Sequence, residues 1–444
     1  MRDLVQQFFV LAIHGCGRYH HAMRRVPAGD NAELIELGDV SAAELHAAAS
    51  RVRAEDGVLA CIPGHSSLYV IRGARSLLSV ASSREPRELR VPVVFDGEDL
   101  PELLERVSRD AFLARVATLR LTARYLGFRG GFAYLEGWPE EWSMPRRVTS
   151  RPVAKGAFAI AGNVAGFYPI DTPGGWRVLG RTNVDLENGL VAGDVIVIEP
   201  VASAAAAAVK AAAEAAALQT VELIQSPLTT LITSVDWSRV ERGLSPGGPF
   251  DDIAAARAMS AVDGEVALFE SAMTGPRLRF QRDATIAWCT PDLALRVERI
   301  RAGEERAFGR ITGGLRAYLA VGENEQSTTP AQRVRDDVIK VMRGPHDIGI
   351  SEIECEVTPQ LNRVGIRLRP LREIDVDIPA DMRSIGMQCG TVQLHPDGSL
   401  VAMGPDHPVT GGYLQPMTVI TSERWKLAQL VPGERVTLRA QEPN

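Results

Sequence analysis

The sequence predicts a mainly β protein with an α+β N-terminal part and barrel- or sandwich-like β architecture on both sides of a central spacer. Three observations carry this. Short apolar or alternating runs recur between turn residues along most of the 444 residues, the pattern of many short strands. Helical patterns before the spacer are confined to 41–54 and about 100–122. The stretch "VASAAAAAVKAAAEAAALQT", residues 201–220, then divides the chain. Alanine favours helix but buries little area, so this stretch reads as a partly helical spacer, about 30 Å long if fully helical.

Taken in order, "FFVLAI" (8–13) is short for a signal core, lacks a good cleavage site, and reads as a strand or poorly ordered N-terminal sequence. "VLACIP" (58–63), "SLYVIR" (67–72) and "RELRVPVVF" (87–95) read as strands, and from 150 onward "AFAIAG", "WRVLGR" and "DVIVIE" continue the β pattern. After the spacer come "RLRF", "ATIAWC", "RAYLAV", "VGIRLR", "TVQLH" and "RVTLRA". A weak repeat links the halves. Thr172-Pro173-Gly174-Gly175-Trp176 precedes Leu190-Val191-Ala192-Gly193-Asp194 and a strand. Thr410-Gly411-Gly412-Tyr413 precedes Leu430-Val431-Pro432-Gly433-Glu434 and a strand. Two copies of related β architecture explain this, and so does chance similarity of two Gly-Gly-aromatic turns.

Composition narrows the function classes. The net charge of −6 and a pI near 5.9 give no basic face, which argues against nucleic acid. No apolar run has the length of a membrane span; the longest candidate, 190–218, is broken by Asp194, Glu199, Pro200, Lys210 and Glu214. Cys16, Cys61, Cys289, Cys355 and Cys389 are scattered and odd in number, which fits a reducing cytoplasm and argues against structural zinc. No His-Glu-x-x-His helix occurs, so no metal site is expected. Phosphate-loop and dinucleotide fingerprints are missing, and no flavin or nicotinamide signature stands out.

Gly243-Leu244-Ser245-Pro246-Gly247 matches the spacing of a serine nucleophile elbow. Pro246 rules it out, because the residue after the serine must supply an N–H to the oxyanion hole. The same stretch, "SPGGPFDDIAAARAM", reads as a glycine turn entering a helix near Asp251-Asp252. Gly247 and Gly248 would let a ligand reach backbone donors; a capped helix after a flexible turn is the plain alternative. In "GFYPIDTPGGWRVLGRT" (166–182), Gly174 and Gly175 permit close approach or positive φ, Trp176 offers a rigid flat face and Arg181 suits an anion. A structural turn with Trp176 in the core is the other reading.

Two stretches carry a family resemblance. "YLGFRGGFAYLEGWPEEWSMPRR" and "RPVAKGAFAIAGNVAGFYPIDTPGGWRVLGRT" resemble the B subunit of 5-oxoprolinase, also called allophanate hydrolase subunit 1. That family includes a sporulation-kinase inhibitor. "GLSPGGPFDD", "GPRLRF", "GLRAYLAV", "VTPQLNRVGIRL", "TVQLHPDG" and "DHPVTGGYLQPMTVI" are similar to its partner, the C subunit of 5-oxoprolinase (allophanate hydrolase subunit 2). The chain thus looks like a fusion of the two. The resemblance implies cyclophilin-like β-barrel domains in both halves. The expected division is a small α/β domain at 1–88, a barrel at 89–200, the linker at 201–220 and a half similar to the C subunit at 221–444. It also implies ATP-dependent opening of the lactam 5-oxoproline together with a separate A subunit, in which phosphorylation of the lactam oxygen makes its carbon easier for water to attack. Related domains of urea carboxylase handle carboxybiotin and urea.

The chain departs from the family pattern at Val116, Val164-Ala165, Val235, Met259 and Val409, where polar groups are usual. It also lacks a glycine-rich insert after "GLRAYLAVGEN". Three readings stay open: a 5-oxoprolinase-like hydrolase, an enzyme repurposed for ring closure or opening on a larger apolar substrate, and a non-catalytic, kinase-regulating binder. In each, the two halves should touch; homo-oligomerisation stays open. The ligand site is expected between the Gly-Gly turns and the Gly-Phe turn. Its side chains would come from Phe132, Tyr134, Arg146, Trp176, Arg181, Asp251, Asn362, Arg363 and Tyr413. Gly174, Gly175, Gly247, Gly248, Gly411 and Gly412 would supply backbone. Tyr413, Asp251 and Arg181 are the catalytic candidates, with the Tyr413 hydroxyl placed to donate a proton or orient a carbonyl.

Overall fold

The structure, a computed structural model, describes residues 24–73, 86–127, 130–186, 189–202, 220–225, 228–379 and 382–441. The run at 8–13 and nearly all of the alanine-rich stretch lie outside the described residues.

The N-terminal part is a four-stranded antiparallel sheet in the order Arg24–Pro27, Ala32–Glu36, Ser67–Arg72, Val58–Pro63. Helix Ala42–Arg53 lies on one face, started by a capping box between Ser41 and Glu44. It buries Leu45, Ala48, Ala49 and Val52 at helical spacing against Ile35, Leu68 and Val70. The other face is also apolar. Leu34, Ile62, Tyr69 and Ile71 pack there on Val240, Ile385 and Val409 of the second half.

The helical pattern expected over 100–122 divides into helix Leu100–Leu104, helix Arg109–Val116 and strand Arg120–Leu126. Ser108 restarts the helix by accepting from Ala111 N–H. Beyond Val116 the period changes to two, with Leu121 and Ala123 turned to the core. That strand joins a seven-stranded sheet ordered Arg177–Arg181, Ala157–Ala161, Val164–Phe167, Ala133–Glu136, Arg120–Leu126, Val195–Pro200, Glu88–Val93. A bridge between Val94 and Arg181 brings its edges together into a barrel around Phe95, Phe158, Ile160 and Ile198.

The second half opens with a three-stranded and a five-stranded sheet, and helix Asp252–Met259 packs on the latter. A closed seven-stranded barrel follows. Its order is Val338–Arg343, Leu414–Val419, Thr391–Leu394, Leu400–Met403, Gly365–Pro370, Glu352–Leu361, Arg435–Ala440.

Numbered along the chain within each barrel, the strands run around both in the same circular order, 1-6-4-5-3-2-7, with the first and last strands parallel. The sequence repeat is therefore a repeat of architecture. Gly193 and Gly433 stand at φ +96° and +83° before the last strand of each barrel. Asp194 and Glu434 each accept from a backbone N–H three residues upstream, at 2.9 and 3.1 Å. The fold is mainly β, with cyclophilin-like barrels in both halves.

Burial of one histidine makes stability pH-dependent. His407 is 3 % exposed and its Nδ1 lies 2.8 Å from Pro408 O. Burial holds its pKa down at about 4, despite that hydrogen bond and Asp406, and with Arg424 adding to the depression. The folded state therefore prefers the neutral ring. Its contribution is complete above pH 6.5 and is lost as pH falls towards 4, on the order of 3 kcal/mol. Urea unfolding from pH 7 to 4 should show this loss, and His407→Gln should flatten it.

Candidate functional site

The halves meet along a seam of backbone contacts. Thr410 Oγ1 donates to Leu126 O at 3.2 Å, and Gly131 N–H donates to Arg242 O at 3.4 Å. His65 N–H donates to Ser384 O at 2.8 Å, and Thr421 N–H to Asp30 Oδ2 at 2.9 Å. Glycines make the approach possible. A Cβ on Gly127 would lie 1.5 Å from Thr410 Oγ1, and one on Gly130 2.1 Å from Leu244 Cδ2. The Gly-Phe turn of the first half thus seats directly on the second Gly-Gly turn, Thr410–Gly412.

Behind that turn stands an aromatic wall on the outer face of the first barrel. Phe132 meets Tyr134, Tyr168 and Trp176 with ring centroids 5.1, 5.5 and 5.2 Å apart, all edge-on. Tyr134 also stacks on Tyr125 at 4.4 Å. Gly166 and Gly174 let this wall close: a Cβ would reach 3.2 Å from Trp176 Cζ3 and 2.2 Å from the Tyr168 hydroxyl. Burial pushes Tyr125 up to about 12, with Ser384 of the second half pulling the other way. Burial likewise raises Tyr134 and Tyr168, and the neighbouring Arg146 charge opposes both shifts. These phenols stay protonated at neutral pH. Arg146 is placed by its neighbours: Pro145 O accepts from Arg177 Nε at 3.0 Å, and Arg147 N–H donates to Gly175 O at 2.7 Å.

Asp251, Arg363, Gly247 and Gly248 gather elsewhere, in a charged network within the second half. Asp251 is fully buried. Its carboxylate caps Ala254 N–H at 3.0 Å, accepts from Gln429 Nε2 at 2.7 Å and forms an ion pair with Arg333. Glu270 accepts from Tyr318 Oη at 2.7 Å and Phe250 N–H at 2.9 Å, and lies 3.2 Å from Arg316 Nε. Arg363 Nη1 stands 2.9 Å from Glu270 Oε2, an ion pair whose angle falls short of a hydrogen bond. Arg363 also holds Asp406 and donates to Gly248 O at 2.8 Å. Asp251, Glu270 and Asp406 thus balance Arg316, Arg333 and Arg363, and the network fastens the helix-bearing sheet to the barrel.

The other expected residues stand apart from both groups. Arg181 pairs with exposed Asp96 at the far end of the strand that begins beside Trp176, about 13 Å away by strand rise. Asn362 Oδ1 accepts from Val364 and Gly365 N–H at 2.8 and 3.2 Å, which forms the hairpin turn. Tyr413 is 39 % exposed and stacks on His395 at 4.2 Å. Its neighbours Gly411 and Gly412 lie against Gln393 and Met382. Of the apolar departures, Val116, Ala165 and Val409 are core residues, while Val235 and Met259 are 41 and 44 % exposed. Sequence reasoning missed Tyr125, Tyr168, Glu270, Arg316 and His395. Glu270 in "VALFESA" and the Arg316 that opens "RAYLAVG" were readable signals, because a charge inside an apolar strand needs a buried partner.

Comparison with known proteins agrees with this architecture. Residues 23–188 match the family model described as carboxyltransferase domain, subdomain C and D. Residues 242–329 and 322–440 match carboxyltransferase domain, subdomain A and B. The B subunit of 5-oxoprolinase from Escherichia coli O157:H7 is 30% identical over 182 residues, covering 36% of this chain and 84% of that protein.

The chain belongs to the carboxyltransferase-domain family.

Within that family it joins a half of the 5-oxoprolinase B type to a subdomain A and B half in one polypeptide. The B subunit of 5-oxoprolinase from Bacillus subtilis is 31% identical over 213 residues, covering 38% of this chain and 88% of that protein. A putative urea carboxylase of Emericella nidulans is 24% identical over 303 residues, half of this chain and 24% of that protein. The crystal structure of TTHA0988 shares the fold, with a TM-score of 0.75 at 22% identity, over 93% of this chain and 99% of that one. Among the described residues no helix is long and apolar enough to cross a membrane, and no group of three or more His, Cys, Asp or Glu is placed to hold a metal ion.

Proposed function

We propose that this chain is the fused B/C component of an ATP-dependent enzyme that opens a small lactam such as 5-oxoproline, acting with a separate protein of the family's A type. The observation that carries the reading is the union of both carboxyltransferase halves in one chain, closed on each other where the Gly-Phe turn seats on the Gly-Gly turn. Arg146, beside the packed rings of Phe132, Tyr134 and Trp176, suits the carboxylate of the lactam. Tyr413, exposed on the second Gly-Gly turn, orients a carbonyl or gives it a proton.

ATP would supply the phosphoryl group that makes the lactam carbon open to water. A phosphate fits the turn at Gly247 and Gly248, which stand at φ +71° and +91°. Arg239 Nη1 is 3.4 Å from the point a Gly247 Cβ would occupy. The adjoining helix N-terminus adds little, because Asp251 already caps it and Asp252 brings a second carboxylate. The apolar departures lend no support to an enlarged apolar pocket, since Val116, Ala165 and Val409 sit in cores.

The test is ATP hydrolysis by the purified chain with an A-type partner protein, with and without 5-oxoproline. Hydrolysis that depends on the lactam is the expected result; no binding of ATP at millimolar nucleotide overturns the reading. Tyr413→Phe keeps the ring stack on His395, so melting temperature should hold while turnover drops by about 10²-fold or more. Unchanged turnover would remove Tyr413 from the reaction.

A further inference from the structure

The two barrels can be aligned residue by residue through their hydrogen bonds. Gly193 N–H donates to Ala123 O and Gly433 N–H to Val357 O, each at 2.8 Å, so Ala123 corresponds to Val357. Across the ladder Ala123 pairs with Leu135, and Val357 with Leu368. Leu135 pairs in turn with Ala165, and Leu368 with Leu400. Ala165 pairs with Ile160, and Leu400 with Leu394. All of these point into the barrels. One residue along each strand, side chains point outward. Tyr134 therefore corresponds to Arg367, Val164 to Ser399 and Ala161 to His395, while the Gly-Gly turns equate Trp176 with Tyr413.

The same face is thus built from opposite chemistry. On the first barrel it is aromatic and filled, with Trp176 8 % exposed. On the second barrel the equivalent positions carry Arg367, His395, Ser399 and Tyr413. Arg367 Nη1 donates to Ser399 Oγ at 2.6 Å and to Asp397 Oδ2 at 2.8 Å. Asp397 is largely exposed; its Oδ2 takes Arg367, while its Oδ1 accepts from Ser399 N–H at 3.0 Å and Ser399 Oγ at 2.6 Å, so a ligand's carboxylate would have to replace it at both the guanidinium and the hydroxyl. Burial, helped by the Arg367 charge and opposed by Asp397, lowers the His395 pKa.

Beside this group runs a groove of about 860 Å³, lined by Arg367, Arg369 and Ser399. That volume lies within the range of small-molecule sites. Its lining also includes Asp397 and, from the segment Glu373-Ile374-Asp375-Val376-Asp377-Ile378, Glu373, Ile374, Val376 and Ile378. The segment alternates like a strand, with Ile374, Val376 and Ile378 turned to the barrel and the three acids exposed, yet it belongs to no strand ladder. Apolar side chains thus share this groove with guanidinium and hydroxyl donors.

We propose that the groove beside Arg367 and Ser399, which His395 and Tyr413 do not line, is a ligand site separate from the seam, for a small organic carboxylate with an apolar body. The carboxylate takes Arg367 and Ser399, and the apolar body lies against Ile374, Val376 and Ile378. Exchange of Asp397 for the ligand's carboxylate leaves the guanidinium paired throughout and passes the Ser399 hydroxyl from Asp397 to the ligand, at the cost of the Ser399 N–H bond to Asp397. The site does not depend on the lactam reading.

The test uses the full chain and 3-phenylpropionate as the probe, followed by calorimetry, with uncharged 3-phenylpropanamide as the control. Saturable millimolar-or-tighter binding of the acid is expected, at least about tenfold tighter than the amide. Arg367→Met should weaken it by a similar factor or more, and Val376→Asp should do so independently from the apolar part of the lining. Arg146→Met, at the seam, should leave it unchanged. Lack of saturable binding, equal binding of acid and amide, or indifference to Arg367→Met and Val376→Asp would each overturn the proposal.

Discussion

Replacing Asp251 by alanine is expected to destabilise the second half by about 3–5 kcal/mol, because it leaves a buried guanidinium without its carboxylate. Arg333 is 10 % exposed on its side chain and lies over the Trp425 ring at 4.0 Å. The same substitution removes the cap on Ala254 and the acceptor of Gln429. Urea unfolding of the full chain reads the loss. The double variant Asp251→Ala, Arg333→Met should recover part of it, since removal of both charges leaves no unpaired ion. If Asp251→Ala kept its stability and lost turnover alone, the carboxylate would be catalytic, as the sequence had led us to expect.

Gly127→Ala should loosen the seam by about 1–3 kcal/mol, since the new methyl group overlaps Thr410 and backbone must move on one side. The cleanest measurement expresses residues 1–200 and 221–444 as separate chains. The unsubstituted halves should co-purify, and Gly127→Ala should weaken their association by roughly 5- to 150-fold. Thr410→Ala in the other half removes the Oγ1 that the methyl group strikes first and should restore part of the affinity. Association indifferent to Gly127→Ala would mean that the halves meet somewhere other than this seam. If neither half is soluble alone or with the other, the two-body reading fails.

Strands were legible wherever one face had to be apolar. "ATIAWC" and "RVTLRA" read as strands and are strands, at Ala284–Cys289 and Arg435–Ala440. The pattern over 100–122 was less legible, because Ser108 caps a new helix and the period changes only after Val116. The weak repeat was visible as two Gly-Gly turns, and its meaning came from glycines that hold positive φ and acids that cap the same loop in both barrels. The candidate site was legible in its residue types and not in its grouping. Phe132, Tyr134, Arg146 and Trp176 do gather, whereas Asp251 and Arg363 joined a separate ion network and Arg181 faced Asp96.

By itself the sequence determined the mainly β class, the strands, the helix starts at Ser41 and Asp251, and the family, because periodicity, capping and motif order are local properties of a chain. Tertiary structure alone decided which polar groups are neutralised. A carboxylate reads the same in sequence whether it faces water, a substrate or a guanidinium. Only the folding of Arg333 onto Asp251 turned that candidate reactant into a fastener, and only the folding of Arg316 and Arg363 onto Glu270 showed what that acid does. The same holds for the two Gly-Gly turns. Their sequences are alike, but the side chains brought in from distant strands filled one outer face with aromatic rings and lined the other with Arg367, Ser399 and His395, beside an open groove.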